Sequence, residues 1–153
     1  MKTLSKTDRK ILSLLQKDGR MNVAEIGRRV GLTASPCADR IKRLESQGII
    51  TGYYARLSPT KLDAGLLVFV QVTLQRTAGD AFKTFTDAIE LIPEVEECHL
   101  VSGEFDFLVK ARVKDMTHYK DLLAGSLLQL PNVQESKSYP VMESVVQRSG
   151  IRL

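Results

Sequence analysis

Between Ser35 and Ser46, five polar side chains share one side of a helical pattern: Ser35, Asp39, Lys42, Arg43 and Ser46, with Arg40 on the flank. Such a face can read DNA. An arginine fork pairs bidentately with guanine, and a lysine meets phosphate. The opposite side carries Cys37, Ile41 and Leu44 at i, i+4 and i+7, an apolar stripe that holds the helix to a core. A solvated amphipathic helix has the same two faces, so the flanking segments must separate the readings. Other chemistry is sparse. His99 and His118 stand alone, and Cys37 and Cys98 lie far apart, without metal-ligand spacing. No nucleophile elbow, phosphate loop or carboxylate pair occurs, so neither an enzyme nor a bound metal or cofactor is expected.

The segment that must position those residues runs from Asn22 to Gln47. Asn22 is a suitable N-cap, with Glu25 three residues on, where it reaches back to the cap. Ile26 and Val30 share a face, and Gly31 sits where a helix ends in one left-handed residue. The next helix is predicted to start near Ser35, with Ser35 as the cap and Pro36 in the first helical position. Cap, glycine turn and second cap come at helix-turn-helix spacing. Upstream, Ser5 to about Asp18 reads as a helix with Ser5 as cap, Asp8 at the third position and a stripe of Ile11, Leu12, Leu14 and Leu15. Downstream of Gly48, Ile49–Leu57 is β-branched and aromatic, and reads as a wing or a bridging strand. A hinge is predicted over Thr60–Leu66, dividing the chain into residues 1–64 and 65–153.

Charge follows the same division. Residues 1–64 carry 13 Lys/Arg against 6 Asp/Glu, whereas residues 65–153 carry 9 against 12. A basic first part joined to an acidic second part suggests that only the first meets a polyanion. No apolar run approaches the roughly 20 residues that span a bilayer, and the first residues lack the apolar core of a signal peptide. The two cysteines fall in apolar patterns, as small buried hydrophobes of a reducing compartment; a cytoplasmic protein is expected.

The second part reads β-α-β-β-α-β. Leu66–Gln75 is a nearly continuous apolar strand, and Asp80–Ile92 is an amphipathic helix stopped by Pro93. Val95–Val101 and the alternating Phe107–Val113 are strands around a tight Gly103–Asp106 connection. Asp115 caps a helix carrying Tyr119, Leu122, Leu123, Ser126, Leu127 and Leu130, and Val133–Gln147 is a last extended run. Pro93-Glu94-Val95 and Pro131-Asn132-Val133 repeat the helix-to-strand exit 38 residues apart. The fold class is therefore α+β: an N-terminal (winged) helix-turn-helix domain and a C-terminal ferredoxin-like βαββαβ domain. A sheet with helices on one face leaves the other to be covered, and a second copy of the chain is the simplest cover.

Together these stretches resemble the Lrp/AsnC, or feast/famine, regulators. The resemblance rests on Asp8-Arg9-Lys10-Ile11-Leu12, Leu15–Arg20, Val30–Ile50 with its Ser35-Pro36-Cys37 start, Glu97–Lys110, Asp115–Leu123 and Tyr139–Ser144, and it is closest to the leucine-responsive members. It implies a cytoplasmic transcription regulator that binds double-stranded DNA, forms dimers and possible octamers, and senses an amino acid between subunits. It places DNA contacts at Thr33, Ser35, Pro36, Asp39, Arg40, Lys42 and Arg43. It places the effector turn at Ser102, Gly103, Glu104 and Asp106, with Met116, Leu128, Tyr139 and Val141 nearby. Glu104 stands where Asp is common. Pro140, which lacks a ladder donor, belongs at an edge or bulge.

Asp106 or Glu104 would meet the effector's ammonium, and backbone N–H groups of the Gly103 turn its carboxylate. Met116, Leu128 and Val141 would take a leucine-like side chain. The plainer alternative makes Asp106 a turn-former and the apolar residues core. The expected function is sequence-specific, amino-acid-responsive regulation. Its rivals are a mainly architectural DNA-wrapping protein and an enzyme on a ferredoxin-like scaffold, for which no catalytic pair is present.

Overall fold

Local sequence starts the helices where the caps are. In the computed structural model, which describes residues 4–75, 80–147 and 150–153, α1 (Lys6–Lys17) begins at Ser5 and α2 (Val23–Val30) at Asn22. The Ser5 hydroxyl accepts the Asp8 N–H at 3.1 Å, and the Asn22 side chain accepts the Glu25 N–H at 2.8 Å. Each satisfies one of the donors that a helix start leaves open. The first residues of the N-terminal tail, 1–3, lie outside the described residues. α2 ends at Gly31 with φ +75°, as its position predicts. α3 (Ala34–Ser46) starts earlier than expected. Its N-cap is Thr33 rather than Ser35, and the Thr33 side chain makes no cap hydrogen bond. Pro36 is therefore the third helical residue, still within the turn where a missing N–H costs no helical bond.

Ile11, Leu12, Ile26, Cys37, Ile41 and Leu44 close into one core among the three helices. The turn between α2 and α3 depends on Gly27 as well as Gly31. A Cβ on Gly27 would lie 2.7 Å from the Leu32 carbonyl oxygen and 3.2 Å from that of Thr33. Gly27→Ala sets a helix-propensity gain of about 1 kcal/mol against an overpacking cost of about 1–3 kcal/mol. Because the obstacle is backbone, which cannot rotate away, the expected result is a net loss of up to about 2 kcal/mol in denaturant unfolding. A stabilised variant would show that the turn yields.

After Gly48 (φ +67°), the chain differs from the expected wing or strand. Ile49–Leu57 forms no strand among the described residues. The Ile49 and Ile50 N–H groups both return to the Leu44 carbonyl, at 2.9 and 3.2 Å, and the Tyr53 hydroxyl donates to Glu45 Oε1 at 2.9 Å. The chain end joins this same unit: Gln16 Nε2 donates to the Ile151 carbonyl at 3.2 Å, and the Ile151 N–H donates to Gln16 Oε1 at 2.6 Å. The first unit is thus Met1–Arg56 with Val146–Leu153, and the second is Leu57–Val145. The boundary expected after residue 64 falls after Arg56. Pro59–Leu62, at the start of the stretch read as a hinge, forms a 3-10 turn closed by the Ala64 N–H on the Pro59 carbonyl at 2.9 Å.

The second unit is a four-stranded antiparallel sheet in the order β2-β3-β1-β4, from β1 (Leu66–Leu74), β2 (Val95–Leu100), β3 (Phe107–Val113) and β4 (Val133–Pro140). α4 (Ala81–Ile89) and α5 (Met116–Gly125) pack on one face. The predicted βαββαβ order stands, with shorter elements. α4 ends before Ile92, and α5 ends before Leu130, where a separate 3-10 turn, Leu127–Gln129, follows. The last run is a strand only as far as Pro140, opposite Val68 on edge strand β4, where an absent N–H breaks no second ladder. Val68, Val70, Val72 and Leu74 alternate inward with Phe107, Val109, Ala111 and Val113 and bury Phe85 completely. Leu67, Phe69, Gln71, Leu108, Lys110 and Arg112 take the opposite face, half-buried. Among the described residues, no helix is long and apolar enough to cross a membrane.

Candidate nucleic-acid interface and effector turn

α3 presents two unlike faces, as its sequence implies. Cys37, Ile41 and Leu44 are buried, whereas Thr33, Ser35, Pro36, Asp39, Lys42 and Arg43 are exposed and Arg40 is half-buried. Lys42 makes no ion pair among the described residues and stays available to an anion. The two arginines are partly committed. Arg40 Nη1 donates to Asp8 Oδ1 at 3.0 Å, and Arg43 Nη2 donates to both Asp8 oxygens, at 3.2 and 3.1 Å. The Ser5 hydroxyl donates to Asp8 Oδ2 at 2.6 Å. Asp8 is therefore more than the capping partner its position suggests. It is a buried carboxylate, 4% exposed, bonding α1 to α3. The available signal was its place on the same helix face as Ile11, Leu12 and Leu15, since a charge on an apolar stripe needs a buried partner.

Burial works to raise the Asp8 pKa, but the hydrogen bonds from Ser5 and Arg40 and the charges of Arg43 and Arg40 outweigh it and hold the group below its ordinary value of 3.8. A depressed acid contributes stability that is complete above the unfolded-state pKa and is lost as pH falls through the lower folded value. The first unit should therefore lose stability below about pH 4, and Asp8→Asn should flatten that part of the unfolding profile. A profile identical to the wild type would show that the ion cluster contributes nothing. On α2, Arg28 and Arg29 share Glu25, each at 2.6 Å, in an exposed network.

The Ser102–Asp106 turn links β2 to β3. Ser102, Gly103 and Glu104 are exposed, and Asp106 is only 5% exposed. The Asp106 carboxylate turns inward and accepts the Leu74 N–H at 2.8 Å; its own N–H donates to the Val72 carbonyl at 3.0 Å, and its carbonyl accepts from Val101 at 2.9 Å. Of the two acids considered for the effector's ammonium, Glu104 is the exposed one and Asp106 shapes the turn. Glu104 edges a small cleft of about 40 Å³ with Gln71, Thr73, Phe105, Glu135 and Lys137. Gly103 has no left-handed φ, and a Cβ there would meet nothing within 4 Å. The turn itself does not demand glycine.

The apolar residues expected near this turn are not all near it within one chain. The turn enters β3 at Phe107, opposite Val72, whereas Val113 lies opposite Leu66 and Pro140 opposite Val68. Met116 follows the Val113 end, and Val141 lies at the Leu66 end with its N–H on the Leu67 carbonyl at 2.8 Å, whereas Tyr139 pairs with Phe69 in mid-strand. Six residues of extended strand separate the ends by roughly 20 Å. A free amino acid cannot bridge that gap. Leu128, in the 3-10 turn leading to β4, is the apolar candidate on the turn's side, because β4 starts opposite Leu74. Met116, Leu128 and Tyr139 are each about half exposed, and the Tyr139 hydroxyl donates to Gln71 at 3.1 Å. The separation follows from antiparallel pairing, which sets the two ends of β3 at opposite ends of the sheet. His99 and His118 each face one carboxylate, Glu97 at 3.1 Å and Glu94 at 3.4 Å; no group of three metal-ligating side chains occurs among the described residues.

Comparison with known proteins matches both units. Residues 4–51 fit a winged helix-turn-helix DNA-binding model, and residues 67–151 fit the Lrp/AsnC ligand binding domain. The leucine-responsive regulatory protein of Escherichia coli is 53% identical over 150 residues, covering 98% of this chain and 92% of that protein. A transcriptional regulator of Neisseria meningitidis, solved as a complex with L-Met, superposes with a TM-score of 0.94 at 37% identity, covering 98% of this chain and 97% of the other. An AsnC family transcriptional regulator of Agrobacterium tumefaciens superposes with a TM-score of 0.92 at 29% identity, covering 97% of each.

Proposed function

The chain belongs to the Lrp/AsnC family of transcription regulators, and from that premise we propose that it is a cytoplasmic, sequence-reading regulator whose DNA binding or assembly responds to leucine or a similar small amino acid. The observation that carries this reading is α3: a helix pinned by three buried side chains with its N-terminal polar face exposed. Thr33, Ser35, Pro36 and Asp39 set the helix start against base edges. Lys42 meets phosphate, and Arg40 and Arg43 offer the donors that Asp8 does not use.

The effector is bound between subunits. The exposed Ser102–Glu104 turn of one chain supplies the polar contacts: open N–H groups at Gly103 for the carboxylate and Glu104 for the ammonium. A neighbouring chain supplies apolar residues from the Met116 and Val141 end, while Tyr139 reaches Gln71 beside the Glu104 cleft of its own chain. The bare Gly103 supports this division, because nothing within the chain requires glycine there. Binding at such a junction changes assembly only by favouring one subunit arrangement over another.

Two chains pair through the sheet face that α4 and α5 leave uncovered, and dimers can associate further, to octamers. Phe69→Asp would set a carboxylate in that face, near its copy across the two-fold axis. The expected result in sedimentation is a shift to monomers with the circular dichroism spectrum retained. An unchanged assembly would place the dimer contact elsewhere.

The test of the reading as a whole is selection from a random DNA pool, followed by gel-shift titration of the enriched duplex and a shuffled control with each of the twenty amino acids. Enrichment of one motif, with affinity shifted by one amino acid, is expected. Equal binding to both duplexes, indifferent to all twenty, would favour an architectural DNA-wrapping role instead.

A further inference from the structure

We infer that Asp8, a residue of α1 buried behind the polar face of α3, is a positioning residue for DNA reading that acts through Arg43 and, beside it, Arg40. This rests on the assignment of α3 as the reading helix. Asp8 receives four hydrogen bonds from side chains: Ser5 Oγ at 2.6 Å, Arg40 Nη1 at 3.0 Å, and Arg43 Nη2 at 3.2 and 3.1 Å. A carboxylate has about four acceptor sites, so the group is saturated. It is also buried, whereas the Arg40 and Arg43 side chains are 34% and 50% exposed. One end of each guanidinium is thus anchored inside the unit while the rest reaches solvent beside the polar face.

An arginine released from Asp8 to reach DNA would leave a buried anion short of partners, which is strongly unfavourable. The pairs therefore persist on DNA. Arg43 uses only Nη2 on Asp8, so Nη1 and Nε remain for DNA; Arg40 uses only Nη1, so Nη2 and Nε remain. A long side chain held in one geometry before binding loses less rotamer freedom on binding, and a planar fork gains most because its directionality carries the recognition. Asp8 thus raises preference between sequences rather than general affinity. Its charge alone acts in the opposite direction, because an anion near the DNA face weakens phosphate attraction.

The opposed signs make the test specific. The full-length wild type, D8N, R43Q and D8N/R43Q are titrated at fixed salt against two probes: the duplex enriched from a random pool by the wild type, and its shuffled counterpart. D8N is expected to lower the ratio of the two affinities by roughly tenfold, while binding to the shuffled duplex holds or strengthens. In the R43Q background, adding D8N should change the ratio much less, because only Arg40 is left for it to act through. A folded D8N with the wild-type ratio overturns the inference. So does a D8N loss that is equally large without Arg43, which is the outcome of a purely structural role. Should D8N fail to fold, D8E carries the same cycle, keeping the charge but displacing it by one methylene. Failure of the wild type to enrich any duplex would instead overturn the DNA-reading assignment, and the inference with it.

Discussion

Replacing Asp106 with alanine is expected to destabilise the second unit by about 1.5–3 kcal/mol as well as to abolish the amino-acid response. The carboxylate is buried and accepts the Leu74 N–H at 2.8 Å, at the point where β1 ends beside the turn. Alanine removes a charged acceptor and leaves that buried donor without it, and donors in such positions bear the full cost of lost solvation. The response fails because the Ser102–Glu104 backbone is then no longer held in one shape. Glu104→Gln is the contrasting variant. Its side chain is exposed, so stability should stay within about 0.5 kcal/mol while the response is lost. Denaturant unfolding and amino-acid-dependent gel shifts, run on both proteins, separate the roles. A D106A protein of wild-type stability would refute the turn-shaping role, and an E104Q protein that still responds would remove Glu104 from the effector site.

Arg43→Ala should weaken binding to the preferred duplex by about 1–3 kcal/mol, the worth of a bidentate base contact, and relax selectivity at the base it reads. Lys42→Ala should differ in kind. An exposed lysine on phosphate carries no base information, so affinity should fall about equally for preferred and shuffled duplexes, and the salt slope should drop by about 1. The structure also separates the two in stability. Lys42 makes no ion pair among the described residues, whereas Arg43 shares a buried acid with Arg40 and Ser5. R43A should thus also lower the unfolding midpoint of the first unit, though less than full loss of a buried pair would, because two donors remain on Asp8. Equal affinity of R43A and wild type for the preferred duplex would take Arg43 out of the interface.

Sequence by itself determined the features that depend on neighbours a few residues apart. Caps at Ser5, Asn22 and Asp115, the Gly31 exit, the α3 stripe and the alternation of β3 all stand, because a helix cap spans three residues and a strand face repeats every two. The order of elements then led to a ferredoxin-like sheet through general rules of connection. Even locally, Ser35 yielded to Thr33 as the cap, although the Thr33 side chain makes no cap hydrogen bond. The tertiary structure alone decided what joins residues far apart in the chain. It brought Arg40 and Arg43 to Asp8, Ile151 to Gln16, and the Asp106 carboxylate to Leu74. It also set the Gly103 turn and the Val113 end of β3, which Met116 follows, at opposite ends of one sheet. Periodicity can assign a side chain to a face, but which partner waits on that face is set by how the faces pack.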